Sequence, residues 1–445
     1  MDYQSIIKEY KTPFYLYDIS ELKSRVDMMR KHLPDIGLCY AMKASPILAG
    51  FIADYVDRLE VCSPGEYEIC IRDGISPDKL LVSGVNKTRE SINRILELGG
   101  AEGLFTIESP EHFEILEECY KGYLELIEKF NSLDEVPEKM GCYIRLTSGN
   151  QFGVDKATLE ELCEKVINSK YLKLVGIHYF SGTQKSMKKI EKELTMLAEY
   201  GPELAEKAKE AYGLREKSAN GNTRDAFEGL SLEYGPGIGI DYFRKSDDDK
   251  PVLESLAERI AENEQEMVDL TELVEKTGIR NSFSNITFEY GRYIASTCGK
   301  YITGIADVKT SDGTNYAILE GGLHQIVYYS SMAGMKVPFV EYIKGDKAKE
   351  IGTEGLEDSS KTDYVLAGSL CSINDILVRR ISLPKLDIGD ALCFNLAGAY
   401  SATEGIALFL SRDLPAILVK DIDGNIQMVR DHIEMNVYNG QSVFD

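Results

Sequence analysis

The stretch "IGLCYAMKASP" (residues 36–46) decides how the rest of the chain is read. Its apolar run from Gly37 to Met42 has the length and texture of a buried strand, and it stops at a lysine, Lys43. A lysine in that place is costly unless its ammonium reaches water or a partner. Two readings stand. The side chain snorkels to solvent from a strand end, or its amine is held at the strand mouth to form a Schiff base with a carbonyl cofactor.

Working outward, seven further runs share the texture: "RLEVCS", "KLLVSG", "LFTIES", "GCYIRL", "LKLVGIHYF", "LSLEYG" and "NITFEYG". Helix-like stretches lie between them, among them "PGEYEICIRDG", "TRESINRILELGG", "PEHFEILEECYKGYLELIEKF", "DKATLEELCEKVINS" and the long segment 186–218. Eight strands alternating with helices predict an α/β fold, a (β/α)8 barrel over residues 25–288. A doubly wound sheet is the alternative, and the number and regularity of the units favour the barrel. From residue 289 to 445 the pattern becomes β-rich, with DG, GD and DG turn signals, and predicts a C-terminal all-β domain. The N-terminal segment 1–24, with the strand "PFYLYD" (13–18), is expected to pair into that β domain. Residues 245–250, "KSDDDK", and 352–362 read as exposed loops.

The chain has 445 residues, 43% hydrophobic and 28% charged, enough for a sizeable core. A net charge of −23 argues against nucleic acid or an anionic membrane as the main partner. Nine cysteines without CxxC spacing and five scattered histidines offer no zinc motif, and no metal is expected. Irregular cysteine spacing, an N-terminus without an apolar signal region and no run of spanning length predict a soluble, cytoplasmic protein with free thiols.

In a barrel, chemistry gathers at the C-terminal strand ends, where Lys43 sits. "EYGPGIGIDYF" (233–243) places Gly235, Gly237 and Gly239 just after a strand, suited either to a phosphate-cradling loop or to a tight barrel turn. "FEYGRYIAS" (288–296) ends the last strand with Glu289 and Arg292, an acid for a pyridine nitrogen or an ion pair. "GIHYFSGTQ" (176–184) places His178, Phe180 and Thr183 at another strand end, and the aromatic either stacks on a flat cofactor or packs in the core. In the β domain "GSLCSIND" (368–375) offers Cys371 and Asp375, and "GAYSATEG" (398–405) offers Tyr400. A cysteine there is a proton donor or an inert core thiol.

Taken in order, these motifs resemble the fold-type III pyridoxal-phosphate decarboxylases, the group of diaminopimelate and ornithine decarboxylases, over nearly the whole chain. "YAMKAS" resembles the family's YAVKAN, "EYGPGIG" its GGGxG loop, "EYGR" its EPGR, "CSIND" its CxxxD, and "GAY" is shared. The resemblance implies an alanine-racemase-like barrel with a β domain, pyridoxal 5'-phosphate as cofactor, and a head-to-tail homodimer whose partner chain supplies the cysteine motif. It implies Lys43 as the aldimine lysine and Cys371 as proton donor. Glu60, Phe180, Thr183, the three glycines, Glu289 and Tyr400 become cofactor contacts, and Arg292, Ser372 and Asp375 substrate contacts. Phe180 and Thr183 depart from the family's HxGS motif. Ser372 stands where diaminopimelate decarboxylases have glutamate and ornithine decarboxylases aspartate, acids that meet the substrate's distal end. The Phe and C-[ST] pattern looks like the branch acting on conjugated amino acids, such as carrier-protein-bound glutamate and siderophore precursors. The alternatives are diaminopimelate decarboxylation in lysine biosynthesis, amino-acid racemisation and, in another class, a non-catalytic cofactor-binding regulator.

Overall fold

The computed structural model describes residues 2–129, 136–218, 227–245, 248–331, 334–345 and 361–440, with side chains 214–218 excepted. The chain divides into two compact units. One holds residues 25–239 and 264–293; the other holds residues 1–24, 240–263 and 294–445.

The first strand, β1 (Phe14–Asp18), belongs to the second unit. The next eight are β2 (Gly37–Ala41), β3 (Arg58–Val61), β4 (Leu80–Val82), β5 (Leu104–Ile107), β6 (Met140–Arg145), β7 (Leu172–Phe180), β8 (Ser231–Gly235) and β9 (Asn285–Tyr290). They form a closed barrel, every neighbouring pair parallel, with β9 returning to β2 through Gly37↔Thr287 and Tyr40↔Tyr290. All eight expected runs are barrel strands. Barrel strands are covered on both sides, which explains why they read as nearly continuous apolar runs.

Local chemistry starts the helices between them. Ser63 accepts the Glu66 N–H ahead of the helix Pro64–Arg72, which opens on proline. Thr88 and Ser91 form a reciprocal cap on Arg89–Glu97, and Asp155 accepts the Thr158 N–H ahead of Lys156–Asn168.

The second unit carries β10 (Gly299–Ser311), β11 (Thr314–Leu319), β12 (Val340–Ile343), β13 (Thr362–Ala367), β14 (Ile376–Leu383), β15 (Ala391–Phe394), β16 (Ala416–Lys420) and β17 (Ile426–Arg430). With β1 they make one sheet in the order β14-β13-β11-β10-β1-β16-β17, with β15 bridging β10 and β12. β1 lies antiparallel to β10 and parallel to β16, fully buried, and Phe14 and Leu16 join Ile302, Cys393 and Leu418 in the unit's core. The DG signal at Asp312–Gly313 is the two-residue hairpin between β10 and β11, both residues at positive φ as such a turn requires.

The barrel boundary expected at residue 288 falls inside β9, which pairs with β2 as far as Tyr290. The barrel unit runs on to Tyr293, and residues 240–263 fall with the β unit. Lys245, Asp249 and Lys250 are exposed without regular structure, whereas residues 246–247 lie outside the described residues. Of the loop expected at 352–362, residues 352–360 also lie outside them, and Thr362 already begins β13. Among the described residues no helix is long and apolar enough to cross a membrane.

Candidate active site

β2 ends at Ala41 and gives way to a single 3-10 turn, Met42–Ala44, that carries Lys43 past the strand end. The ammonium does not simply run out to water. Lys43 Nζ donates to Glu60 Oε2 at 2.6 Å from β3, while 36% of the lysine side chain stays accessible. The other Glu60 oxygen accepts from Ser83 Oγ and, at 3.2 Å, from the Cys62 thiol. Burial raises the pKa of Glu60, but the Lys43 ammonium and these hydrogen bonds outweigh it and hold the carboxyl down at about 2. Burial and the Glu60 carboxylate push the Cys62 thiol up to about 12, so it remains a donor. The result is an accessible amine fixed by a buried anion.

Deeper in the barrel, Glu289 of β9 meets His178 of β7, with Nε2 and Oε1 3.1 Å apart and both side chains almost fully buried. His178 Nδ1 is buried without a hydrogen-bond partner, and among the described residues Glu289 Oε2 has none. A second carboxylate, Glu233 of β8, lies close enough that its oxygen, a Glu289 oxygen and the Cys39 sulfur fall within 4.8 Å of one another. Arg58 Nη1 neutralises Glu233 at 2.8 Å and also reaches Tyr143 Oη at 3.2 Å. Burial pushes Glu233 up to about 8 against the pull of Arg58, and Glu289 adds to the rise.

That pair sets a stability test. A carboxyl whose folded pKa is raised lowers stability as pH rises from the ordinary glutamate range through the folded value. Arg58→Met removes the opposing cation and pushes Glu233 higher still. The loss is expected to reach about 3 kcal/mol at pH 9 and to be smaller at pH 6, where Glu233 takes a proton. Melting temperatures of both proteins at the two pH values check this, and an equal loss at both contradicts it.

The glycines of 235–239 are explained by close approach. A Cβ on Gly235 would collide with the Phe180 ring, one on Gly237 with the Gly182 carbonyl, and one on Gly239 would lie 2.9 Å from Gln184 Oε1. Only Gly237 also has a positive φ, +60°. The loop is therefore seated against residues 180–184, which brings Phe180 and the half-buried Thr183 beside the glycines. Lys185, unnoticed in the sequence, is buried there: its Nζ donates to Glu193 Oε2 at 2.6 Å and to the Gly235 carbonyl at 2.8 Å.

Four more polar residues were missed at the ends of β4 to β6. Lys87 Nζ donates to the Gly84 carbonyl and to Thr106 Oγ1, and Arg145 Nη1 meets Glu108 Oε2 at 3.0 Å. Burial lowers Lys87 to about 8, and burial with Lys87 lowers His112 to about 4. The signal was present in "LFTIES" and "GCYIRL", where an ionisable residue follows an apolar run as Lys43 does.

Arg292 is buried at the start of the short helix Arg292–Ala295. Cys371, Ser372, Asp375 and Tyr400 belong to the β unit. Cys371 is the exposed member of nine free cysteines. Ser372 is half-buried and its hydroxyl accepts the Asn374 N–H. Tyr400 holds a positive φ of 65° and its carbonyl accepts from Thr403 and Glu404. Asp375 is held by backbone amides. It is buried, its two oxygens accept the Leu323 and Leu370 N–H groups at 2.8 Å, and a Cβ on Gly368 would collide with it. Its carboxylate braces the Cys371 turn.

Comparison with known proteins agrees with this geometry. The chain is 26% identical to the L-glutamyl-[BtrI acyl-carrier protein] decarboxylase of Niallia circulans, over 96% of this chain and 92% of that one. It is 25% identical to the 2-[(L-alanin-3-ylcarbamoyl)methyl]-2-hydroxybutanedioate decarboxylase of Staphylococcus aureus, over 91% and 93%. The fold is that of Helicobacter pylori diaminopimelate decarboxylase complexed with L-lysine, at a TM-score of 0.71, 19% identity and 98% coverage of both chains. Residues 19–296 match the family model for the pyridoxal-binding domain of pyridoxal-dependent decarboxylases, which covers more than half of the sequence. By that match, the chain belongs to the pyridoxal-dependent decarboxylases, carboxy-lyases that use pyridoxal phosphate.

Proposed function

We propose that this decarboxylase acts on an amino acid whose distal end is an amide, thioester or carboxylate, free or tethered to a carrier protein. Ser372 carries the reading. It is a neutral hydroxyl beside Cys371, already engaged with the Asn374 N–H, and offers no charge to a distal ammonium. The two relatives named for conjugated substrates support the same class.

The residues fit the cofactor. Lys43 Nζ is the accessible amine for its aldehyde, and the glycines seat the 235–239 loop against residues 180–184, where its backbone would meet a phosphate. When bound, the cofactor supplies an electron sink for the pair left behind as carbon dioxide departs. Glu60 holds Nζ in place. His178 occupies one oxygen of Glu289, and the remaining oxygen suits a ring N–H, whose protonated form the carboxylate favours. Phe180 presents a π face, and the Thr183 hydroxyl is a phosphate donor. Cys371, contributed by the partner chain of a homodimer, or Lys43 itself, returns a proton to the substrate's α-carbon.

The test is kcat/KM for meso-diaminopimelate, L-ornithine, L-lysine and a glutamyl conjugate on wild type and Ser372→Glu. The conjugate is expected to be the best wild-type substrate, and the variant to shift at least tenfold toward distal amines, the worth of one charge-assisted contact of about 1.5 kcal/mol. Wild-type turnover of diaminopimelate at about 10⁴ M⁻¹s⁻¹ or more, an ordinary enzyme efficiency, would overturn the substrate assignment.

A further inference from the structure

Lys185 is a buried cation that none of the roles above uses. Its side chain is 1% exposed, and its Nζ lies 5.0 Å from the centre of the Tyr234 ring. Glu193, from the helix Met187–Ser218, holds it at 2.6 Å and also accepts from Tyr234 Oη at 2.8 Å and from Ser181 Oγ. An apolar side chain of similar length would pack here without the desolvation that a buried ion pair carries, so the pair calls for an explanation beyond stability.

The explanation lies in what Lys185 does to the glycine loop. Its Nζ takes the Gly235 carbonyl at 2.8 Å, and its own backbone N–H takes the Gly237 carbonyl at 2.9 Å. One residue thus draws two loop carbonyls, on either side of Pro236, to itself. The peptide after Gly237 is trans, so the Ile238 N–H runs antiparallel to the Gly237 carbonyl and faces away from Lys185. The Gly235 and Gly237 carbonyl oxygens are thus turned toward Lys185, and the Ile238 N–H is left to face an anion on the loop's other side.

We propose that Lys185, buttressed by Glu193, is a positioning residue that sets the polarity of the Gly235–Gly239 loop for the cofactor's phosphate. This rests on reading that loop as the phosphate site. Lys185 acts through backbone, and so its contribution belongs to the phosphate and not to the pyridine ring or the aldehyde.

The test compares the affinity of the full-length protein for pyridoxal phosphate and for pyridoxal, which lacks the phosphate, by equilibrium titration of the bound chromophore. Lys185→Met is expected to reduce the preference for the phosphorylated form at least tenfold, with pyridoxal affinity changed less than twofold. Lys185→Met/Glu193→Gln removes the uncompensated carboxylate should the single variant fold poorly, and is expected to give the same loss of preference. Equal weakening of both ligands, or an unchanged preference, overturns the proposal in favour of a packing role. A wild type with no preference at all overturns the phosphate-loop reading first and this one with it.

Discussion

Lys43→Ala is expected to yield a folded protein that cannot attach pyridoxal phosphate covalently, with decarboxylation reduced by roughly five or six powers of ten, the scale on which losing a covalent nucleophile registers. Borohydride reduction of the wild type followed by peptide mapping should place the adduct on Lys43, and an adduct on the buried Lys87 or Lys185 would refute the assignment. The variant should also titrate differently. Glu60 is held low by the Lys43 ammonium, so in wild type it adds stability above the ordinary glutamate range, and that stability is lost as pH falls toward about 2. Without the ammonium, burial dominates and raises the carboxyl, and unfolding measured between pH 3 and 7 should show a weaker rise of stability with pH.

Cys371→Ala is expected to keep the bound-cofactor absorbance of the wild type and to lose roughly two to four powers of ten in turnover, the range for one proton-transfer group. The thiol is exposed on its own chain, as a group that works in a second chain's site must be. Mixing the Lys43→Ala and Cys371→Ala proteins tests that directly. Mixed dimers carry one site with both residues intact and should recover activity, whereas mixed dimers that form and stay inactive would exclude a shared site. Asp375→Ala separates donor from brace: it should loosen the turn around Leu370 and Cys371 without removing the thiol.

The barrel was legible because each strand is an apolar run closed by turn chemistry, and eight such runs leave few alternatives. Lys43 stood out by one physical rule, that an ionisable group at the end of a buried strand needs a reason. The same rule points to Glu289, Arg145 and Glu108. Lys185 was illegible for a different reason. It follows a glycine-containing loop, and its partners at residues 193 and 235 meet it only through tertiary folding. The backbone partners of Asp375 could not be read from its motif, which gives the residue type and not the direction of its carboxylate. The texture of "NITFEYG" continues without punctuation into the next segment, so the sequence does not mark where the β9 pairing ends at Tyr290.

The placement of β1 bears on how the protein is made. Its residues pair with Gly299–Ile302 on one side and Ala416–Lys420 on the other. A ribosome releases this buried apolar strand first and delivers its last neighbour some four hundred residues later, about 20 to 80 seconds at ordinary elongation rates. The barrel strands emerge in between and pair with near neighbours in sequence, so they can settle while β1 waits unpaired. This part of the β sheet thus cannot be completed until β16 emerges, and Phe14–Asp18 lacks that neighbour in the interval.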